Sequence, residues 1–256
     1  MPSKSKILQQ AIGIIISVAL IAWMISAIEW PEVLHALSNM HYWPLLPLTL
    51  LLLLHFYLRA ARWSVLLPST ESPPTLRLLF DSFMAGNFAT YILPLRAGEF
   101  VRPVLLSRQS SYSFPTAFVS IIVERFFDLA TVLLSFAVML AFIPNIPEVV
   151  LKGAMVLGAL ALCIFIFLVI GVYLPGTLKS LAGFFLSRMP DGLKLKLERF
   201  LDDLLHGLTI LKNPRSLALA IWYSILVWGS CYIFYWLFLY CFDLPTSLWA
   251  GVAVAV

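Results

Sequence analysis

The run Ile7–Ile28, "ILQQAIGIIISVALIAWMISAI", contains no charged residue. At ~1.5 Å of rise per residue it is long enough to cross a ~30 Å hydrocarbon core. Lys4 and Lys6 precede it, as they would in a signal peptide. The run is too long for a signal h-region, and no small-x-small cleavage site follows, so it reads as a retained first membrane helix. Four more such runs follow, at Trp43 to about Leu67, Thr116–Phe142, Val149–Leu174 and Leu217–Phe242.

Composition agrees with this reading. Apolar residues make up 61% of the chain and charged residues 12%, against about 45–50% and about 25% in soluble domains. Mean hydropathy is +0.95. A transmembrane β-barrel would show ~10-residue alternating segments, and none occur. The expected fold is therefore all-α, a polytopic helical integral membrane protein with residues 1–256 in a single transmembrane domain. Cys163, Cys231 and Cys241 lie in apolar runs without ligand spacing and read as small buried hydrophobes. No zinc site, disulfide framework, metal or other cofactor is expected.

Charge gives the orientation. With Lys4 and Lys6 in the cytoplasm, every one of the 17 Lys and Arg except Lys152 falls on cytoplasmic segments or at their helix ends. Glu29, Glu32, Glu148 and Asp243 fall on the other side. The positive-inside rule then predicts a cytoplasmic N-terminus. The net charge of +4 is explained by this topology, and no nucleic-acid partner is expected.

Both flanks of the segment 78–95 are cytoplasmic in this layout. The segment is short, and Asp81, Gly86, Asn87 and Pro94 interrupt it. It reads as a re-entrant hairpin that turns near Gly86–Asn87, with Pro94 ending a half-helix and Gly98 allowing a tight turn or close packing. The polar stretch 192–211 places Leu193, Leu197, Phe200, Leu201, Leu204, Leu208 and Leu211 at helical spacing, as in an interfacial amphipathic helix. The final run, 246–256, is the start of a further span, so the chain reads as continuing beyond residue 256.

Charge inside the apolar runs marks the candidate site. "YILPLRAGEFVRPVLL", Tyr91–Leu106, holds Arg96, Glu99 and Arg102. In Thr116–Phe142, the residues Ser120, Glu124, Asp128, Thr131 and Ser135 form one polar stripe along a helix. A carboxylate near mid-bilayer costs ~2.5–3.5 kcal/mol, and two at i,i+4 repel each other. Cations must meet them. Arg59 and Arg62 share a face near the end of the second span. Arg125 points about 100° away around the helix from Glu124. One cluster is expected from Arg59, Arg62, Asn87, Arg96, Glu99, Arg102, Glu124, Arg125 and Asp128. The plainer reading is a structural ion-pair network. The functional one is a headgroup site, since guanidinium forks match phosphate oxygens and intramembrane charge marks pathways and sites.

Gly86-Asn87, "PLRAGEFVRP" (Pro94–Pro103) and "SIIVERFFD" (Ser120–Asp128), in that order, resemble the flippase-like membrane family, also named for the transmembrane region of lysylphosphatidylglycerol synthase. The resemblance covers nearly the whole chain. It implies a multi-pass protein of a bacterial or archaeal cytoplasmic membrane whose partners are membrane lipids: an anionic or aminoacylated phospholipid, or a polyprenyl phosphate. It carries over to Arg59, Asn87, Pro94, Arg96, Gly98, Glu99, Arg102, Glu124, Arg125 and Asp128. The family's later helices and its Pro/Gly-rich element are absent, as is a soluble aminoacyl-transfer domain, so the chain is not a complete synthase.

Three functions compete. The first is a non-enzymatic lipid translocator, driven by a gradient or running downhill, since the sequence has no G-x-x-x-x-G-K-[ST] loop. The second is a membrane enzyme on polyprenyl-phosphate-linked sugars. It lacks a D-x-x-D, an H-E-x-x-H and a nucleophile–base pair, and the four His lie away from the charged motifs in sequence. The third is a non-catalytic partner or scaffold for a cytoplasmic synthase; that synthase, or a second copy of the chain in a homo-oligomer, is then an expected partner.

Overall fold

In the computed structural model the described residues are 4–70, 72–94, 97–140, 148–244, 251 and 254. They form helices and connections, with no strand among them. In chain order the α-helices are α1 (Lys4–Ala27), α2 (Trp30–Asn39), α3 (Leu45–Leu66), α4 (Leu76–Ile92), α5 (Gly98–Gln109), α6 (Phe114–Leu140), α7 (Glu148–Tyr173), α8 (Pro175–Leu186), α9 (Asp191–Gly207) and α10 (Pro214–Cys241). A 3-10 segment, Leu208–Lys212, joins α9 to α10. Part of the expected last span, 246–256, lies outside the described residues.

The helices Leu45–Leu66, Leu151–Tyr173 and Pro214–Cys241 are long and apolar enough to cross a membrane. Ile15–Ala27 and Trp30–Asn39 meet the same measure together, although they bend by 68° at their junction. α6 is as long as these but carries Glu124, Arg125 and Asp128 in its middle. The protein is thus an all-α, polytopic membrane protein. Its outer faces are apolar, with Met155, Val156, Trp23 and Leu46 each more than half exposed, as a lipid-facing surface requires.

α3, α6 and α10 form the centre. Trp63 meets Ser120 and Arg59 meets Glu124, so α3 and α6 run antiparallel. Trp228 meets Asp128 and Tyr232 meets Ser135, so α6 and α10 run parallel. The α4–α5 hairpin packs against α3 and α6, and α7 packs on α6. At the end formed by the N-terminus of α6 lies a dry core of Val119, Val123, Leu168, Val172, Leu205, Leu208 and Ala220. At the other end His41 N–H donates to Cys241 O at 2.8 Å, tying the start of α3 to the end of α10.

Three expectations need correction. First, the hairpin does not turn at Gly86–Asn87. α4 runs unbroken through both residues. One glycine weakens a helix by only about 1 kcal/mol, whereas Pro94 forces Leu93 into extended backbone (φ −86°, ψ 140°) and ends α4 there. The reversal lies between Leu93 and Gly98. Gly86 and Gly98 are packing sites: a Cβ on Gly98 would strike Thr90 N and Gly86 O, and one on Gly86 would strike Arg102 Cγ. Second, the amphipathic stretch 192–211 packs its C-terminal half on protein. Leu205 and Leu208 are buried in the core beside Val119, while Leu193 and Phe200 at the other end stay exposed. Third, the thiols are free but not all buried: Cys163 is exposed, Cys231 half-buried and Cys241 buried.

Candidate functional site

Arg125 stands eleven residues past Phe114 on α6, which places it roughly 16 Å along the helix axis. That is about halfway through a ~30 Å hydrocarbon core. Glu124, beside it, is fully buried. Its Oε1 accepts from Arg59 Nη2 and Arg62 Nη2 at 3.2 Å each and from Arg125 Nη2 at 3.0 Å. Its Oε2 accepts from Arg102 Nη2 at 2.8 Å. One carboxylate therefore serves four guanidiniums, from α3, α5 and α6.

Asp128, one turn on, is the second anion. Arg62 Nη1 lies 2.8 Å from its Oδ1, and Arg125 Nη1 lies 3.5 Å from its Oδ2. Trp228 Nε1 on α10 also donates to Oδ1, at 3.3 Å. Arg125 leaves its helix at the wrong angle for Glu124, yet its long side chain curls back and touches both carboxylates. Arg62 Nη1 also donates to Ser224 Oγ at 3.2 Å.

The aromatic surroundings complete the positioning. The Arg102 guanidinium lies 4.6 Å from the centre of the Trp63 ring and 4.8 Å from that of Phe83, and Arg59 lies 5.0 Å from Phe83. Stacking of this kind favours a guanidinium by about 0.5–2 kcal/mol. Trp63 is itself fixed by donating from Nε1 to Ser120 Oγ at 2.8 Å. The predicted stripe on α6 is thereby accounted for: Ser120 holds Trp63, Glu124 and Asp128 hold the arginines, Thr131 bonds its own backbone at Phe127 O, and Ser135 meets Tyr232.

Four guanidiniums meet two carboxylates, an excess of two positive charges. Glu99, in the first turn of α5, lies beside them. It lines a cavity of about 60 Å³ with Asn87, Thr90, Arg59, Arg102 and Arg125. Each of the four arginines also keeps its Nε–H buried with no hydrogen-bond partner among the described residues. The cluster is thus rich in charge and in donors, and short of acceptors.

The four arginines are not equivalent. Arg62 and Arg102 are enclosed, while the side chains of Arg59 and Arg125 are 20% and 35% exposed. Arg59 and Arg125 line the small polar cavity on one side. On the other they line a larger groove of about 660 Å³ with apolar walls from α6, α7 and α10.

A family model described as lysylphosphatidylglycerol synthase TM region matches residues 10–256. The chain belongs to that family. No curated protein and no solved structure matches it. Of the family-motif residues, Arg59, Arg102, Glu124, Arg125 and Asp128 come into direct contact, and Asn87 and Glu99 line the cavity beside them. Arg96 lies outside the described residues. Pro94 and Gly98 shape the hairpin, whereas Gly86, expected at a turn, is helical and packs against Arg102.

Several neighbours were not legible from the family motifs. Trp63, Phe83, Ser224 and Trp228 sit in apolar runs, where nothing separates a site residue from a lipid-facing one. The expectation that every His lies away from the charged motifs is wrong for His55: it stands one turn before Arg59, so it shares that face, and it lines the groove. Its Nδ1 lies 3.0 Å from Ser230 Oγ and 3.2 Å from Val227 O. Among the described residues no group of three or more His, Cys, Asp and Glu comes together as a metal site.

Proposed function

We propose that this protein binds the anionic phosphate of a membrane lipid on Arg59 and Arg125 and carries that lipid between leaflets. The lipid is a phospholipid or a polyprenyl-phosphate-linked lipid. The protein acts by binding rather than by making or breaking bonds, in a bacterial or archaeal cytoplasmic membrane with its N-terminus in the cytoplasm.

One observation carries this reading. Arg59 and Arg125 are the cluster's partly exposed guanidiniums, and they stand where a polar cavity meets an apolar groove. A lipid has the same order, an oxyanion joined to hydrocarbon. A purely structural ion-pair network would match its charges, because unmatched buried charge costs several kcal/mol per ion. Among the described residues of the cluster, cations exceed anions and the Nε–H donors lack acceptors. Phosphate oxygens supply both the negative charge and the lone pairs.

Reconstitution into liposomes tests the proposal. A headgroup-labelled anionic phospholipid is placed in one leaflet and its loss from that leaflet is timed. The wild type should speed exchange over protein-free vesicles. Arg59→Gln with Arg125→Gln should slow it by about tenfold or more, the worth of charged hydrogen bonds. Equal exchange by wild type and the double variant, both folded, would overturn the proposal.

A further inference from the structure

Another pocket lies on the far side of α3 from the arginines. Tyr57, Ala61 and Ser64 share one face of that helix and line it. That face points roughly 140–200° around the helix from Arg59. Residues 67–70 beyond the end of α3, Pro73 and Pro74, Tyr112 ahead of α6 and Tyr223 on α10 form the other walls. The volume is about 490 Å³, within the ~300–1,000 Å³ of small-molecule sites. Pro68, Pro73 and Pro74 fix their own backbone angles. The Tyr112 hydroxyl donates to Pro68 O and ties the end of α3 to the start of α6. The walls are thus set before a ligand arrives, which lowers the entropy lost on binding.

Among the described residues that line this pocket, none is charged. A phosphate would need a guanidinium or an ammonium there, and an ammonium would need a carboxylate, because unmatched charge is costly away from water. The lining offers hydroxyls instead, which both donate and accept. Those of Tyr57 and Tyr223 have no hydrogen-bond partner among the described residues. Thr70 Oγ1 is buried and makes no well-formed hydrogen bond among them, although the Tyr112 hydroxyl is its neighbour. Ser64 and Tyr112 donate to Ala61 O and Pro68 O and keep lone pairs that can accept. The tyrosine rings set apolar faces beside these groups. We infer that this pocket binds a neutral polyhydroxyl ring, a hexose, free in solution or carried as the headgroup of a glycolipid. A pyranose has the matching order. Its edge carries hydroxyls that donate and accept, and its faces carry C–H groups for the rings. It bears no charge and needs none of the four arginines, so the site stands apart from the phosphate reading of the cluster. On the proposed orientation the C-terminal end of α3 faces the cytoplasm, and the sugar arrives from that side.

The test uses the whole protein in nanodiscs of phosphatidylcholine, with Ser64→Cys in a cysteine-free background. Ser64 is exposed on the pocket wall, and the rate of its reaction with a water-soluble maleimide is followed. One arm adds the methyl glycosides of glucose, galactose, mannose and N-acetylglucosamine. The other replaces a minor fraction of the phosphatidylcholine with diacylglycerol glycosides of the same sugars. At least one sugar should slow the reaction. Protection by the glycolipid alone makes the ligand a headgroup, and protection by the free glycoside makes it a soluble sugar. Tyr57→Phe with Tyr223→Phe keeps both rings and removes both hydroxyls. It should raise the half-protecting concentration by about tenfold, the worth of two neutral hydrogen bonds. Tyr57 is 50% exposed, so losing its hydroxyl leaves the fold intact. No protection by any sugar in either arm would overturn the inference. So would protection by phosphatidic acid equal to that of the best sugar, or equal protection with and without the two tyrosine hydroxyls.

Discussion

Glu124→Gln is the sharpest perturbation of the cluster. It keeps the shape of the side chain, removes the charge, and points an amide donor at guanidiniums that are already short of acceptors. The loss is not shared equally. Arg62 keeps Asp128 at 2.8 Å, and Arg125 keeps it at 3.5 Å. Arg102 loses its carboxylate at 2.8 Å and keeps the faces of Trp63 and Phe83. Those faces are worth about 0.5–2 kcal/mol each, less than a buried ion pair. Breaking a buried pair by removing one partner costs about 3–5 kcal/mol. With Asp128 still in place, the expected loss is about 3 kcal/mol. Arg102→Met in the Glu124→Gln background removes the stranded cation, and about 2 kcal/mol of that loss should return, read as non-additivity in a double-mutant cycle. The assay is equilibrium unfolding in mixed micelles, followed by helix content and tryptophan fluorescence. A Glu124→Gln loss below about 1 kcal/mol, or a cycle additive to within about 0.3–0.5 kcal/mol, would refute the buried network.

Gly98→Ala should destabilise the protein by about 1–3 kcal/mol, because the new methyl meets Thr90 N and Gly86 O, which are backbone atoms that cannot rotate away. Gly229→Ala on α10 has nothing within 4 Å of the new Cβ and should be neutral or stabilise by up to about 1 kcal/mol; thermal unfolding of the two variants side by side checks both. Ser120→Ala strips the acceptor from buried Trp63 Nε1 and should cost about 1–3 kcal/mol by the same unfolding assay. For orientation, single cysteines replacing Lys196 and Glu32 in a cysteine-free background should react with an impermeant maleimide from opposite sides, Lys196→Cys from the cytoplasm; labelling of both from one side would reverse or break the proposed topology.

Much of the architecture could be read from the chain because bilayer physics leaves a narrow choice. Each long apolar run is a helix, and the ends differ by a few residues: 43–67 was expected where α3 is Leu45–Leu66, and 217–242 where α10 is Pro214–Cys241. The polar stripe on α6 was legible for a related reason, since a charge in an apolar helix must be met. What sequence could not give was which surface meets which. The leucines of 192–211 fit a lipid surface and a protein core equally well, and only the fold shows Leu205 and Leu208 against Val119. Gly86 looked like a turn because glycine and asparagine are common in turns, but its missing side chain serves the approach of α5. Helical angle fixes the Cβ of Arg125, not the end of its long side chain, which reaches both carboxylates.

The uneven exposure of the four arginines bears on what the cluster is for. A network that only braced the hairpin would use Arg102 on α5 and Arg62 on α3, both enclosed and both already bound to Glu124. Through Glu124, Arg59 and Arg125 add little to such bracing. Arg125 belongs to the same helix as Glu124, so their contact joins no two elements. Arg59 repeats the link from α3 to α6 that Arg62 already makes. Both add positive charge at mid-helix depth, where an ionised residue costs ~2.5–3.5 kcal/mol, and both keep part of their surface outside the network. On the proposed reading, bracing falls to Arg62 and Arg102, and ligand recognition to Arg59 and Arg125. The division predicts opposite signatures: Arg102→Met should lower stability before it lowers lipid exchange, and Arg125→Gln should lower exchange at nearly unchanged stability. Arg125→Gln unfolding at the Arg102→Met midpoint, with exchange by the folded fraction intact, would assign all four arginines to the fold.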